Sequence, residues 1–183
     1  MEILLSIALG LGLSAATGFR LFIPALIASI ASRYGEINLA ANMEWLGSTP
    51  ALVVLVVASV AELGAYYIPF IDNLLDTIAT PTAAVCGTLV MGGVLGDVHP
   101  VFQWTLAAIA GGGVAGSVKA GNSLIRLKSS ALSGGVANPI FATLETAISG
   151  ILSILSILLP IAAFVVIIYL IFLIVKRRRK NKG

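Results

Sequence analysis

Three charged residues interrupt long apolar stretches of this sequence, where such side chains are costly. Glu62 and Glu145 each lie within an apolar run, and Arg20 lies within the first run of the chain. A charge at the centre of a bilayer costs about 2.5 to 3.5 kcal/mol on insertion scales, so these residues usually face protein or water and pair with one another. We therefore expect both glutamates to be proton- or ion-binding sites, with Arg20 as a partner. The alternatives are a purely structural ion pair and, for Arg20, a contact with an anion or a lipid headgroup.

Both glutamates share a helix face with small or polar residues, because side chains three and four positions apart are neighbours on a helix. Around Glu62 these residues are Ala58, Ser59, Ala65 and Tyr66. Around Glu145 they are Ala142, Ser149, Ser153 and Ser156. The valines of the Glu62 run lie elsewhere around the same helix. Each polar face should therefore pack against protein or line a cavity.

Further polar residues lie near the ends of the apolar runs. Asp72 and Asp76 are four residues apart and share a helix face, and Asn138 begins a later run. They are candidates for solute entry or ion coordination, and a solvated helix end or first-turn cap is the alternative. Asp97 and His99 flank a turn, but one histidine with one carboxylate makes a poor metal site. The sequence predicts no metal and no cofactor.

The composition is that of a membrane protein. Of 183 residues, 58% are hydrophobic and 10% are charged, and the mean hydropathy is +1.06, whereas a soluble domain carries about 25% charged residues. Six of the eleven Lys and Arg residues lie in 176–182, so the net charge of +3 does not indicate nucleic-acid binding. The single Cys86 excludes a disulfide framework. The common hydrolase and metalloprotease motifs are absent, and we do not expect an enzyme.

Runs of apolar residues predict an all-α, polytopic protein with about six transmembrane helices, since a span needs about 20 such residues. The runs are Ile3 to Ile30, Ala51 to Ile71, Thr82 to Leu95, Val101 to Val118, Ile140 to Leu158 and Ile161 to Val175. They form one domain, residues 1–175, followed by a basic tail, 176–183. Positive residues favour the cytoplasmic side, so the tail, both termini and a loop with Lys119, Arg126 and Lys128 should lie in the cytoplasm.

Glycine and proline should break some of these helices. Gly18 and Pro24 favour a break in the first run, because proline removes a backbone donor and clashes with the preceding turn. The stretch Ser129 to Pro139 is rich in Ser and Gly and is either a cytoplasmic loop or a re-entrant segment. Three runs in each half (1–98 and 99–175) suggest an inverted repeat. Gly92-x-x-x-Gly96 and Gly112-x-x-x-Gly116 allow close helix packing, within the chain or in a homo-oligomer.

Three segments carry a family resemblance: Gly18 to Pro24 (GFRLFIP), Ile68 to Asp76 (IPFIDNLLD) and Gly134 to Glu145 (GGVANPIFATLE). They resemble a family of small bacterial integral membrane proteins that carries only a domain-of-unknown-function label. Tyr66-Tyr67 stands where that family often has Asp-Lys. The resemblance implies a polytopic fold in the bacterial plasma (inner) membrane and supplies no activity.

These patterns predict a small secondary transporter or channel-like protein for an ion or small solute, acting through its buried glutamates. The alternative is a non-transport protein that interacts with lipid or takes part in membrane assembly, with buried charges that only join helices. Both hypotheses place the protein in the lipid bilayer.

Overall fold

The computed structural model describes residues 2–96, 98–133 and 138–160, and residues 2, 69–74, 76–77 and 129–133 are described by their backbone alone. All regular structure in this part of the chain is helical. The α-helices are α1 (Glu2–Thr17), α2 (Ile23–Arg33), α3 (Thr49–Ala65), α4 (Pro69–Val94), α5 (Pro100–Leu106), α6 (Gly113–Ser133) and α7 (Asn138–Leu158). A 3-10 segment, Ala41–Gly47, precedes α3, and a π-helical segment, Ala107–Gly112, joins α5 to α6.

The first apolar run is broken, as predicted, and its two pieces run antiparallel. A Cβ added to Gly10 in α1 would lie 3.1 Å from Cγ2 of Val94 in α4. The amide of Ala40, which follows α2, donates to the carbonyl of Gly93 over 2.7 Å. Because Gly10 and Ala40 meet the same turn of α4, the chain reverses between α1 and α2. The run is therefore a helical hairpin and not one continuous span.

Local sequence explains where the hairpin turns. Pro24 lies in the first turn of α2, where its missing N–H costs nothing because helix-start amides have no partner in the helix. Gly18 stands where α1 ends, and a Cβ there would lie 2.5 Å from Cβ of Val118 in α6. A larger residue would push α6 away. The break therefore requires both a proline to begin α2 and a glycine to let α6 approach.

Helix α4 packs between α1 and the helix formed by α5, the π segment and α6. The Ser14 hydroxyl donates to the Gly87 carbonyl over 2.9 Å. A Cβ at Gly87 would collide with Cβ of Ala115, and one at Gly111 would lie 2.7 Å from the Gly87 oxygen. Small residues thus allow the close backbone approach expected of helices packed in a membrane. Gly112 makes an equally close approach, since a Cβ there would lie 2.5 Å from Oγ1 of Thr88.

The structure does not confirm the inverted repeat. Gly10 of α1 lies next to Val94 of α4, and Ser14, further along α1, contacts Gly87, which comes earlier in α4. Helix α1 is therefore antiparallel to α4. Gly111 of the π segment lies next to Met91 of α4, and Gly116 of α6 lies next to Ala84, which comes earlier in α4. The π segment and α6 are therefore also antiparallel to α4. The first and fourth apolar runs therefore begin in the same direction, whereas an inverted repeat requires them to run oppositely.

Two helices are long and apolar enough to cross a membrane, Pro100–Lys128 and Asn138–Leu158. A third candidate is the pair Ala41–Gly47 and Thr49–Ala65, which is bent by 65° at its break. Ile3–Thr17, Ile23–Arg33 and Ile78–Val94 are shorter apolar helices. The chain is thus helical with segments that could span a membrane, and six spans are not confirmed. The sixth predicted span and the basic tail lie outside the described residues.

The connection between α6 and α7 differs from its prediction. Residues 129–133 continue α6 and are not loop, and Asn138 already belongs to α7. The extension reads Ser-Ser-Ala-Leu-Ser and contains no glycine, and Ser lowers helix propensity only moderately, so the preceding helix can continue through it. Residues 134–137, where a re-entrant segment would turn, lie outside the described part of the chain.

Candidate functional site: a buried charged cluster

Five charged side chains lie buried together near the turn between α1 and α2. Their exposed fractions are 1% for Arg20, 7% for Glu62, 1% for Lys119, 2% for Arg126 and 2% for Glu145. With Tyr66 at 3%, they form what we call the buried cluster: Arg20, Glu62, Tyr66, Lys119, Arg126 and Glu145. Removing a charge from water costs several kcal/mol unless it is paired and hydrogen-bonded. The contacts among these six residues therefore decide whether the cluster is stable.

Arg20 extends from the turn to the beginning of α7. Its Nε donates to Oγ1 of Thr146 over 3.0 Å, and its Nη2 donates to the carbonyl of Ala142 over 2.6 Å. The same Nη2 lies 3.6 Å from Oε2 of Glu145. Arg20 thus attaches the broken hairpin to α7 through neutral acceptors and through one carboxylate.

Glu145 is shared between two guanidinium groups. Nη1 of Arg126 in α6 donates to its Oε2 over 3.4 Å, and Nη2 of Arg20 contacts the same oxygen at 3.6 Å. The other carboxylate oxygen, Oε1, is buried without a hydrogen-bond partner. The carboxylate therefore joins α6, α7 and the hairpin through one of its oxygens only.

Glu62 makes a different kind of contact. Its Oε1 accepts from the amide of Leu21 over 2.8 Å, and its Oε2 accepts from the amide of Phe22 over 3.1 Å. These amides precede α2, and amides at a helix beginning have no partner within the helix. A carboxylate there also interacts favourably with the positive end of the helix dipole. Glu62 thus caps α2 from α3, and the charges of Arg20 and Lys119 also attract it.

Tyr66 lies at the centre of the basic side chains. Cζ of Arg20 is 4.0 Å from the centroid of its ring, Cζ of Arg126 is at 5.0 Å and Nζ of Lys119 is at 5.2 Å. Nζ of Lys119 also donates to the Tyr66 hydroxyl over 3.1 Å. A cation over an aromatic face gains about 2 kcal/mol or more when both are desolvated. The ring therefore helps hold three basic residues in one place, and Lys119 and Arg126 have further contacts as well.

Several buried polar atoms around the cluster have no hydrogen-bond partner. They include Nη1 of Arg20, Oγ of Ser59, Nδ2 of Asn122, Oγ of Ser123 and Oε1 of Glu145. Asn122 and Ser123 lie between Lys119 and Arg126 on α6 at helical spacing, so all four share one face. Each unmade hydrogen bond of a buried group costs about 1 to 3 kcal/mol. The cluster and its immediate neighbours therefore contain buried donors and acceptors that the protein leaves unsatisfied.

The structure brings three of the predicted site residues, Arg20, Glu62 and Glu145, into one cluster. The polar faces predicted around the glutamates are indeed turned inward: Ser59, Ser149, Ser153 and Ser156 are buried, while Val53, Val54, Val57 and Val60 are exposed. The predicted inward orientation of these two helix faces is confirmed.

The remaining residues that the sequence singles out lie away from the cluster, or their side chains lie outside the described residues. The side chains of Asp72 and Asp76 lie outside the described residues, although their backbone belongs to α4. Asn138 is the first residue of α7 and has polar contacts. Nδ1 of His99 caps α5 by accepting from the amide of Val101 over 3.4 Å. Among residues 2–96, 98–133 and 138–160, no group of three or more His, Cys, Asp or Glu could hold a metal ion.

Sequence reasoning missed three members of the cluster. Lys119 and Arg126 were expected in a cytoplasmic loop, but they lie buried on α6, and Tyr66 was expected only to line the Glu62 face. A signal was present. Lys119, Asn122, Ser123 and Arg126 recur at helical spacing among apolar residues, which is the pattern already used for the glutamates.

Comparison with known proteins places the chain in a family. A profile described as "Domain of unknown function (DUF4126)" matches residues 7–180. The chain belongs to the DUF4126 family. The match covers every member of the buried cluster, so the cluster is part of the DUF4126 domain and not of an appended segment. No curated protein sequence and no solved structure matches the chain.

Proposed function

We propose that this DUF4126 protein is a small membrane transporter or channel-like protein and that the buried cluster is its solute site. The observation that carries the proposal is the burial of five charged side chains among apolar helices, next to polar atoms that no protein group satisfies. Charges within apolar spans usually face the bundle interior or a water-filled cavity, and they often mark paths for ions or solutes.

The hairpin of α1 and α2 supports this proposal. Backbone without regular helical bonds occurs at membrane depth only where protein or a water-filled cavity surrounds it. In many transporters, discontinuous helices place their ends at the solute site for this reason. The turn between α1 and α2 carries Arg20 and is held by Glu62, so the broken backbone and the charges meet at one place.

One observation favours the alternative, a non-transport lipid-interacting or assembly protein. Both oxygens of Glu62 are engaged by backbone amides, which is a structural task that requires no solute. The close contacts at Gly87, Gly111 and Gly112 show in addition that these glycines serve packing within the chain. A scaffold would need the same contacts. It would not need polar atoms left without partners.

The proposal also includes the membrane in which the protein lies and the orientation of the chain across it. We expect a bacterial inner-membrane protein with about six spans and a cytoplasmic basic tail, by the positive-inside rule. If the first apolar run counts as one of six spans, both termini are cytoplasmic. The hairpin supports a sharper alternative in which the beginning of α1 and the segment 34–48 lie on the same side, because Gly10 and Ala40 meet the same turn of α4.

Topology reporters separate these two arrangements. A reporter is fused before Met1, inserted at Gly35, which is exposed and has a φ of +77°, or fused after Gly183. The hairpin predicts the same side for the first two positions. Opposite sides for Met1 and Gly35 would show that α1 and α2 together cross the membrane once.

The proposed function is tested by flux through proteoliposomes that contain the full chain. The panel is protons, Na⁺, K⁺, chloride, acetate and inorganic phosphate. Tyr66→Phe removes the hydroxyl to which Lys119 donates and keeps the ring. A lost hydrogen bond to a charged group is worth about 1.5 to 3 kcal/mol, so we expect flux to fall about tenfold or more.

Tyr67→Phe is the matched control. Tyr67 is 52% exposed, and its hydroxyl bonds Thr143 at 3.0 Å outside the cluster. We expect its flux to equal that of the wild type. Absence of flux for the whole panel, or an equal effect of both substitutions, would reject the transporter proposal in favour of the packing one.

A further inference from the structure

We infer that the solute bound in the buried cluster is a small oxyanion, a carboxylate or phosphate group, and not a cation. This inference rests on the proposed function, since it names the class of solute for the same site. The sequence predicts cation or proton binding by the glutamates and leaves open a contact of Arg20 with an anion or a lipid headgroup. The contacts of those glutamates, together with the chemistry of the unsatisfied atoms, indicate the opposite charge.

The carboxylates are poorly placed to bind a cation. Both oxygens of Glu62 already accept backbone hydrogen bonds, and Oε2 of Glu145 faces two guanidinium groups. A metal or ammonium ion at Glu145 would have to approach Arg20 and Arg126 closely. Like charges at such distances repel strongly where the dielectric constant is low. Only Oε1 of Glu145 remains, and one oxygen does not make a cation site.

The unsatisfied atoms are mostly hydrogen-bond donors. Nη1 of Arg20 and Nδ2 of Asn122 can only donate, and the hydroxyls of Ser59 and Ser123 can donate as well. Arg20 is 99% buried, so its free N–H groups cannot turn to bulk water. An oxyanion supplies several acceptor oxygens at once, which is what such a set of donors lacks. Guanidinium groups also bind carboxylate and phosphate with particular strength.

The remaining charges of the cluster agree with an oxyanion. Among its described side chains three are basic and two are acidic, and all three basic groups gather around the Tyr66 ring. Asn122 and Ser123 lie on the same face of α6 as Lys119 and Arg126, so their donors are carried by the helix that brings two of these charges. The same surroundings would suit a free solute or the phosphate of an anionic lipid.

The test measures the unfolding midpoint of the full chain in phosphatidylcholine nanodiscs during titration with sodium phosphate or sodium acetate. Sodium chloride and potassium chloride at equal ionic strength are the references. A ligand that binds the folded state raises the midpoint in a concentration-dependent way. We expect phosphate or acetate to raise it beyond the chloride salts.

Variants connect the effect to the cluster. Asn122→Ala removes a donor that has no partner in the protein, so it should leave the fold intact and weaken oxyanion affinity about tenfold, the value of one hydrogen bond to a charge. Arg20→Lys keeps the charge and removes the free Nη1, and we expect a similar loss. Ser153→Ala is the matched control, because its buried hydroxyl is satisfied by the Ser149 carbonyl at 2.7 Å. Its affinity should equal that of the wild type.

A second set of nanodiscs containing phosphatidylglycerol identifies the source of the oxyanion. If the lipid phosphate occupies the site, phosphatidylglycerol raises the midpoint of the wild type but not of Asn122→Ala, and free phosphate adds nothing. A response to free phosphate or acetate alone identifies a soluble solute. Either result supports the inference.

Other outcomes overturn it. No response to oxyanions, or a response that Asn122→Ala and Arg20→Lys leave unchanged, would show that the cluster does not bind an oxyanion. A specific response to Na⁺ or K⁺ would restore the cation hypothesis. Cation flux without oxyanion binding rejects only this inference, whereas oxyanion binding without any flux rejects only the transport proposal.

Discussion

Glu62 and Glu145 have the same side chain, similar surroundings in the sequence and different tasks in the structure. Each lies on a polar face of an apolar helix, yet Glu62 binds two backbone amides and Glu145 binds two arginines. The first completes the beginning of a helix, and the second neutralises charge that would otherwise be isolated. An acidic residue within an apolar span therefore identifies a buried position, but it does not identify the partner that stabilises its charge.

The largest effect should come from removing the charge of Glu145. Breaking a buried pair by removing one partner costs about 3 to 5 kcal/mol. Glu145→Gln removes the charged partner of both Arg20 and Arg126. We expect the free energy of unfolding, measured by denaturant titration in mild detergent, to fall by about this amount. A loss below about 1 kcal/mol would show that the arginines have no need of this carboxylate.

A smaller effect is expected from Glu62→Gln. Glutamine keeps one carbonyl oxygen that can accept from Leu21 or Phe22 but loses the charge at the start of α2. Losing an N-terminal cap costs about 0.5 to 2 kcal/mol, so the free energy of unfolding should fall by this amount in the same titration. A loss equal to that of Glu145→Gln would erase the distinction between the two residues.

Double-mutant cycles sharpen the comparison further. Arg20→Gln combined with Glu145→Gln should show a coupling energy of about 0.5 to 3 kcal/mol, because the two side chains are in contact. Arg20→Gln combined with Glu62→Gln should give a smaller coupling, since among the described residues these two attract each other without an ion pair within 4 Å. The reverse order would mean that Arg20 is primarily the partner of Glu62.

The sequence predicts more about burial than about partners. The 3.6-residue periodicity identifies which faces of α3 and α7 turn inward, because that pattern depends only on each helix. Gly18 and Pro24 likewise locate the break. The reversal after it does not follow from these residues, since a glycine followed by non-helical backbone allows many directions. The direction that the chain takes is determined by tertiary contacts at Gly93 and Val118.

Lys119 and Arg126 show a second limit. The burial of Lys119 depends on Tyr66, which directly follows α3 and lies 53 residues away in sequence. The burial of Arg126 depends on Glu145 in α7, 19 residues away. A rule that assigns basic residues to the cytoplasmic side is based on composition and does not consider such partners. The helical spacing of polar residues on α6 is the better indicator here.

The smallest effect should come from Ser59→Ala. Its buried hydroxyl, one turn from Glu62 on α3, has no partner, so replacing it loses no hydrogen bond and can be neutral or slightly stabilising. We expect the free energy of unfolding to stay within about 0.5 kcal/mol of the wild type, as is usual for substitutions away from bonded groups. Ser29→Ala is the control, because its hydroxyl donates to the Leu46 carbonyl at 2.7 Å. It should cost about 1 kcal/mol, and a cost for Ser59→Ala as large as this would reveal a partner for Ser59.

The central claim, that the cluster around Glu145 is a solute site and that Glu62 holds the backbone beside it, is tested most directly by flux through proteoliposomes of the two glutamine variants. Flux is normalised to the amount of folded protein, so differences in stability do not enter. We predict that Glu145→Gln changes the flux of the transported solute about tenfold or more, equivalent to about 1.4 kcal/mol or more, because Arg20 and Arg126 lose the carboxylate that they share. Glu62→Gln should stay within about twofold of the wild type. Wild-type flux in Glu145→Gln, or an equal change in both variants, would contradict this prediction.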